Sequence, residues 1–233
     1  MPGISVVKLG GSLALSGQLP AWLEAIEAGA GSVVLVCGGG PFADAVRRAQ
    51  KRMGFDDEAA DLMALMAMEQ YGIALTALSK SFVLADCRSA IRAALRARRV
   101  PIWAPRRMVR AAPEIPPSWD VTSDSLAAWL AGELGATRLL LIKRARLPAG
   151  TLTAQALSKD GVVDAAFPRF LAASGVPCAL IGPRHRRALA EALHGGGDIG
   201  RNVSAGWGVS ETNAKRLPSG GFRRHRRRRA RAV

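Results

Sequence analysis

Six short runs of β-branched and aliphatic residues alternate along this chain with helical stretches, and that alternation constrains the fold more than any other feature. The runs lie at residues 6–9, 33–37, 81–85, 100–104, 138–143 and 177–182. Each is continuously apolar rather than alternating with polar residues, the pattern of strands buried on both faces. Between them, residues 19–28, 41–53, 57–71, 88–98, 123–134, 164–173 and 186–193 space their apolar side chains at three and four, as amphipathic helices do. Strands that alternate with helices pair in parallel, because each crossover must return the chain to the same end of the sheet. The expected fold is therefore α/β: a three-layer α/β/α sandwich around a mainly parallel central sheet.

With 233 residues the chain suits one domain. Half of its residues are hydrophobic but only 5% are aromatic, so Ala and aliphatic side chains must fill the core. The three cysteines, Cys37, Cys87 and Cys178, are widely separated and lack metal-ligand spacing. They read as free thiols in a reducing compartment. No segment approaches the ~18 uninterrupted apolar residues of a membrane span, and no basic stretch precedes an apolar run at the N-terminus. A cytoplasmic protein with no membrane partner is expected. The net charge of +15 is uneven, since residues 222–233 hold seven arginines and the rest of the chain carries +8. Residues 1–203 read as the domain. Residues 204–233, rich in Gly and Ser and then in Arg, read as a disordered tail.

Three stretches concentrate residues that could carry chemistry. In "VVKLGGSL", Lys8 ends the first strand, followed by Gly10, Gly11 and Ser12. In an open parallel sheet ligands gather at the carboxyl ends of strands, and glycine N–H groups can approach an anion closely. A solvated lysine beside a tight turn fits this stretch equally well. In "VVLVCGGGPFADAV", Gly38, Gly39 and Gly40 lead from a strand into a helix opened by Pro41. A helix N-terminus behind glycines favours an anion, phosphate or carboxylate. In "SWDVTSDSLAAWLA", Thr122 or Ser123 can cap a helix, with Asp120 and Asp124 flanking its start. An acidic residue there is also favourable without any ligand. Residues 105–119, with four prolines, read as a functional loop or a small hairpin.

Taken together and in this order, the three stretches resemble the amino acid kinase family, over about residues 4–200. That resemblance implies a carbamate kinase-like sandwich and an ATP-dependent kinase accompanied by Mg²⁺. It places Lys8, Gly10, Gly11, Ser12 and Lys143 on the phosphates of ATP. Gly38, Gly39, Gly40, Asp120 and Thr122 fall on the acceptor, and Asp124 is catalytic by orienting Lys8. No side chain is expected to ligate the metal directly. Within the family, "GGGPFADAVR", "AMEQYG" and "VTSDSLAAWLA" look most like the small kinases that phosphorylate (5-(aminomethyl)furan-3-yl)methyl phosphate in methanofuran synthesis. Such an acceptor is already phosphorylated, which makes Arg47, Arg48, Arg106, Arg107 and Arg110 candidate phosphate partners, with a solvated surface as the alternative.

The chain departs from that pattern in three places. Where relatives carry a Thr-Asp-x-Asp-Gly type loop after the fifth strand, this chain has Lys143, Arg144 and Arg146. Where some carry a second lysine ahead of a helix, it has Asp164, with Lys143 and Lys159 as the candidate substitutes. Asp61 occupies a place where the small-kinase branch often has histidine. Two other readings therefore remain: a uridylate kinase-like nucleoside-monophosphate kinase, and a degenerate kinase-fold protein that binds nucleic acid through its Arg-rich tail. The resemblance also implies a homo-oligomer.

Overall fold

The computed structural model describes residues 3–145 and 147–205. Eight strands form one sheet: β1 (Ser5–Leu9), β2 (Val33–Cys37), β3 (Phe82–Ala85), β4 (Val100–Trp103), β5 (Arg138–Ile142), β6 (Leu152–Thr153), β7 (Cys178–Ile181) and β8 (Arg201–Ser204). Their order is β3-β4-β2-β1-β5-β7-β8-β6. The first six in that order are parallel neighbours, and β8 turns antiparallel on β7. The helices are α1 (Leu19–Glu27), α2 (Gly40–Met53), α3 (Asp57–Leu78), α4 (Arg88–Arg96), α5 (Arg106–Val109), α6 (Ser123–Leu134), α7 (Ala154–Lys159), α8 (Phe167–Ser174) and α9 (Arg186–Gly195).

Strand periodicity sorts the core into two layers. Val6, Val34, Val36, Leu139 and Leu141 face α6 and α8, where Leu126, Leu130, Phe167 and Leu171 meet them. Val7, Leu9, Val33, Leu35, Leu140 and Ile142 face the other way, toward Trp22 and Ile26 of α1 and Leu189 of α9. Both faces of the central strands are thus dry, which is why those strands read as unbroken apolar runs. The expected mainly parallel α/β/α sandwich is the fold observed.

Several elements differ from the sequence reading. The third helix does not stop at Tyr71 but runs on to Leu78. It does so because Gly72 lets the helix lie close on the sheet: a Cβ there would sit 2.9 Å from Leu84 Cδ2 and 3.2 Å from Ile102 Cγ2. Residues 105–119 form no hairpin. Pro105 leads into the single turn of α5, and Val109, Ala112 and Ile115 then pin the segment to the α6 side of the core. The helix expected from residue 164 begins at Phe167, because Asp164 is drawn away to α6. The strands β6 and β8 and the short α7 add to the elements that the apolar pattern predicts. Ser204, assigned to the tail, lies in β8, and the Arg-rich stretch falls in residues 206–233, outside the described residues. Among the described residues no helix is long and apolar enough to cross a membrane.

Candidate active site

The period of two that sorts the core also aims Lys8. It shares the face of Val6, toward α6, and lies opposite Leu141 of β5 in parallel register. Two residues beyond Leu141, on that same face, stands Lys143. Between the two ammonium groups sits the carboxylate of Asp124, on the first turn of α6. Lys8 Nζ is 2.9 Å from Asp124 Oδ1, and Lys143 Nζ donates to Oδ1 at 2.9 Å and to Oδ2 at 2.8 Å. Lys8 and Asp124 are each only 5% exposed. Buried charges persist only when paired, and this trio leaves one uncancelled positive charge.

Their electrostatics are coupled. Burial alone would push the Asp124 carboxyl up, but the Lys8 and Lys143 ammonium groups outweigh it and hold the carboxyl below its ordinary value. Lys143 is pulled below the ordinary lysine value by burial first and by the Lys8 ammonium second, against the opposing pull of Asp124. Asp124 is therefore firmly ionised, with both oxygens engaged. It holds two cations in place, and the two ammonium groups that keep it ionised also weaken it as a base.

Beside this trio the two glycine loops meet backbone to backbone. A Cβ on Gly11 would lie 2.6 Å from Gly40 N, and one on Gly38 would lie 2.8 Å from Gly11 N. Gly40 also takes φ +53°, a conformation that L side chains rarely adopt. Gly10 is buried and donates its N–H to Ile142 O at 3.3 Å, while Ser12 is exposed. The glycines are thus required first by the contact between the loops. That contact leaves the loops as one floor of a cavity of about 270 Å³.

Gly11, Ser12, Gly38, Gly39 and Gly40 line this cavity, facing Asp57 and Asp61 of α3, Arg47 of α2, and Trp119 and Thr122. Trp119 is fixed by its indole N–H, which donates to Gln50 Oε1 at 2.7 Å, and Arg47 lies over its ring at 4.4 Å. Asp57 accepts from Gln50 Nε2 at 2.8 Å, and Arg47 donates to Asp44 at 3.1 Å. Asp61 hydrogen-bonds to no described residue. Burial pushes its carboxyl up to about 6, against the pull of Arg110.

The placement of the remaining candidates is mixed. Asp120 is exposed and lies outside the cavity lining. Thr122 lines the cavity, but its hydroxyl is spent on Asp164 at 2.8 Å. Arg106 pairs with Glu69 and Arg107 with Asp86, which leaves Arg47 as the arginine of that group in the cavity wall. Lys159 is exposed at the end of α7, so Lys143 is the lysine that joins Lys8. In the sequence Asp164 stands out only as the place of a missing lysine. In the structure it accepts hydrogen bonds from the backbone and side chains of both Thr122 and Ser125.

Two ammonium groups held on one carboxylate beside joined glycine loops, at the carboxyl edge of a parallel sheet, suit a polyphosphate. Among the described residues no three His, Cys, Asp or Glu side chains stand close enough to hold a metal ion. A divalent ion would be carried in by phosphate oxygens, which is where Mg²⁺ fits this site.

Comparison with known proteins agrees with the architecture. Residues 3–145 match the amino acid kinase family, and the chain belongs to that family. No curated protein matches the sequence. The fold is similar to that of uridylate kinase from Archaeoglobus fulgidus, with a TM-score of 0.65 and 17% identity over 86% of this chain and 100% of that one. It is also similar to UMP kinase from Ureaplasma parvum, with a TM-score of 0.63 and 19% identity over 88% of this chain and 100% of that one. UMP kinase from Bacillus anthracis follows at 0.61 and 15%, over 88% and 97%. At these identities the likeness concerns the fold.

Proposed function

We propose that the protein is an ATP-dependent small-molecule kinase that transfers the γ-phosphoryl group to a phosphorylated acceptor, with (5-(aminomethyl)furan-3-yl)methyl phosphate as the best candidate. The observation that carries this reading is Asp124 held between Lys8 and Lys143, next to the joined glycine loops. Phosphoryl transfer asks the protein chiefly for positioning and for cancellation of charge on the transferred group. Lys8 and Lys143 supply the charge, Asp124 fixes where they point, and the cavity-lining backbone of Gly11 and Ser12 is the part of the first loop that meets the phosphates. Mg²⁺, entering with ATP, adds further neutralisation of the phosphate oxygens.

The acceptor class follows from how Asp124, the carboxylate beside the lysines, is held. When a phosphate monoester dianion attacks the γ-phosphorus, its oxygen forms the new P–O bond and the bond to the β,γ-bridging oxygen breaks. ADP leaves with that electron pair, and no proton need be removed. A site whose aspartate is locked between two ammonium groups suits that chemistry better than attack by an alcohol. The cavity offers Arg47 to a phosphate and the unpaired Asp61 to a cation, so an acceptor bearing both phosphate and ammonium meets both. Uridine monophosphate, the alternative suggested by the fold likeness, presents no cation to Asp61. The test is ADP release with Mg–ATP and a panel of aminomethylfuran phosphate, uridine monophosphate and their unphosphorylated forms. Turnover with the amine phosphate alone is expected. Turnover only with uridine monophosphate would overturn the acceptor assignment.

We also propose a homo-oligomer that covers the outer face of α3, where Met63, Met66 and Ile73 are exposed. Two copies of so basic a chain meet with least repulsion on an uncharged stripe. A mass twice the monomer by light scattering, reduced by Ile73→Glu, is the expected result.

A further inference from the structure

Asp164 lies in the loop ahead of α8, and its carboxylate reaches across to a helix that is not its own. Thr122, the residue before α6, makes no capping bond with its own side chain. Instead Asp164 Oδ2 accepts from Thr122 N at 3.0 Å, Thr122 Oγ1 at 2.8 Å and Ser125 N at 3.0 Å, while Oδ1 accepts from Ser125 Oγ. A second tie joins the same segments, Ala166 N donating to Asp120 O at 2.9 Å. The first N–H groups of a helix have no partner within it, and a carboxylate there meets both their hydrogen-bonding need and the helix dipole. Asp124 lies between the two clamped residues.

We propose that Asp164 is a positioning residue: it clamps the first turn of α6 so that Asp124 stays between the lysines, and its charge supports the ammonium of Lys143. Four groups face Lys143 from the elements around it: Lys8 from β1, Asp124 from α6, Asp164 from the loop before α8 and the Cys178 thiol from β7. Burial and Lys8 work against the proton on Lys143, whereas Asp124 and Asp164 work for it. With Asp164 ionised the four charged side chains, Lys8, Asp124, Lys143 and Asp164, alternate in sign and sum to zero. With Asp164 gone, the buried cluster keeps a surplus cation, and Lys143 is the member that can relieve it by losing its proton.

The chain has six lysines, so carbon-13 labelling at lysine Cε gives few NMR signals, and Lys143→Arg identifies the one of interest. The titration of Lys143 is followed in the folded wild type, in Asp164→Asn and in Ser125→Ala. Asp164→Asn is expected to move the Lys143 midpoint to lower pH by roughly half a unit to one unit. Ser125→Ala breaks part of the clamp but keeps the charge, so it should lower the melting temperature and leave the midpoint in place. A Lys143 midpoint unchanged in folded Asp164→Asn would overturn the proposal. Should that variant not fold, Asp164→Ser, which retains an acceptor oxygen without the charge, is read in the same way. The proposal rests on the kinase reading only for its consequence in ATP binding. Failure of the wild type to bind Mg–ATP would sink that reading while the lysine titration still decided the role of Asp164.

Discussion

The two halves of the site are built on opposite terms. On the side of Lys8, Asp124 and Lys143, two ammonium groups share one carboxylate, Lys8 and Asp124 are buried and Lys143 is nearly so, and the geometry is fixed before any ligand arrives. On the side of the cavity, Asp61 is half-buried and hydrogen-bonds to no described residue, and the exposed Arg47 lies over Trp119 with only the exposed Asp44 as its ion-pair partner among the described residues. On the proposed reading, the paired half meets a group that is the same in every turnover, the phosphates of a nucleotide. The unpaired half carries its unmet charge toward whatever the acceptor presents. Preorganisation is thus concentrated where charge must be cancelled in the transition state, and unmet polarity where selection occurs.

The contrast can be broken most severely at Asp124. Replacing it by Ala leaves two buried ammonium groups unpaired and should cost about 3–5 kcal/mol of stability, read from urea unfolding. The pH dependence has a definite sign. Because the folded carboxyl lies below its unfolded value, its contribution is complete above the ordinary carboxylate range near ~3.9. It is lost only as pH falls below that range through the folded value. Wild type and Asp124→Ala unfolding curves should therefore converge in strong acid and stay apart near neutrality.

Next in size is the joint between the two loops. Gly38→Ala places a methyl group 2.8 Å from the Gly11 backbone, which cannot move without shifting β1 or the first 3₁₀ turn after it. A loss of about 1–3 kcal/mol is expected, with phosphate affinity falling further than stability alone explains. Equal thermal stability in this variant and the wild type would show that the loops are not rigidly joined.

The smallest effect, and the one that sharpens the contrast, lies at Asp61. Its folded carboxyl sits above the unfolded value, so between roughly pH 4 and pH 6 the folded protein binds more protons than the unfolded one. Stability should fall as pH rises through that window. Asp61→Asn should stabilise the protein by about 1 kcal/mol at pH 7, the shift being discounted for the exposed part of the side chain, and by less at pH 4. The same variant should raise the KM of an amine-bearing acceptor at least about tenfold and leave the KM of ATP within about twofold. A rise in both constants together would place Asp61 outside acceptor recognition.

The sequence exposed the paired half better than the unpaired one. Lys8, the glycines and Asp124 lie on a strand end, a turn and a helix start, where a period of two and capping rules say which way side chains face. Lys143 obeys the same strand rule, two residues past the partner of Lys8. Thr122, by contrast, lines the cavity, but nothing local reveals that Asp164 claims its hydroxyl from 42 residues away. Asp120 is exposed and outside the cavity lining, which its sequence position does not disclose: a helix-flanking acid can face the site or the solvent, and only packing decides. The fold was legible where the apolar runs are long. The two-residue β6 and the polar β8 were not, since their pairing is set by tertiary contact rather than by pattern.

The most direct test of the account is calorimetric titration of Mg–ATP into the wild type and Lys8→Ala at one pH and salt concentration. The account predicts saturable binding by the wild type and at least about a tenfold loss in the variant, with the fold retained by circular dichroism. Equal affinity in the two proteins, or no heat in either, would contradict the claim that the lysines bracketing Asp124 form the phosphate site.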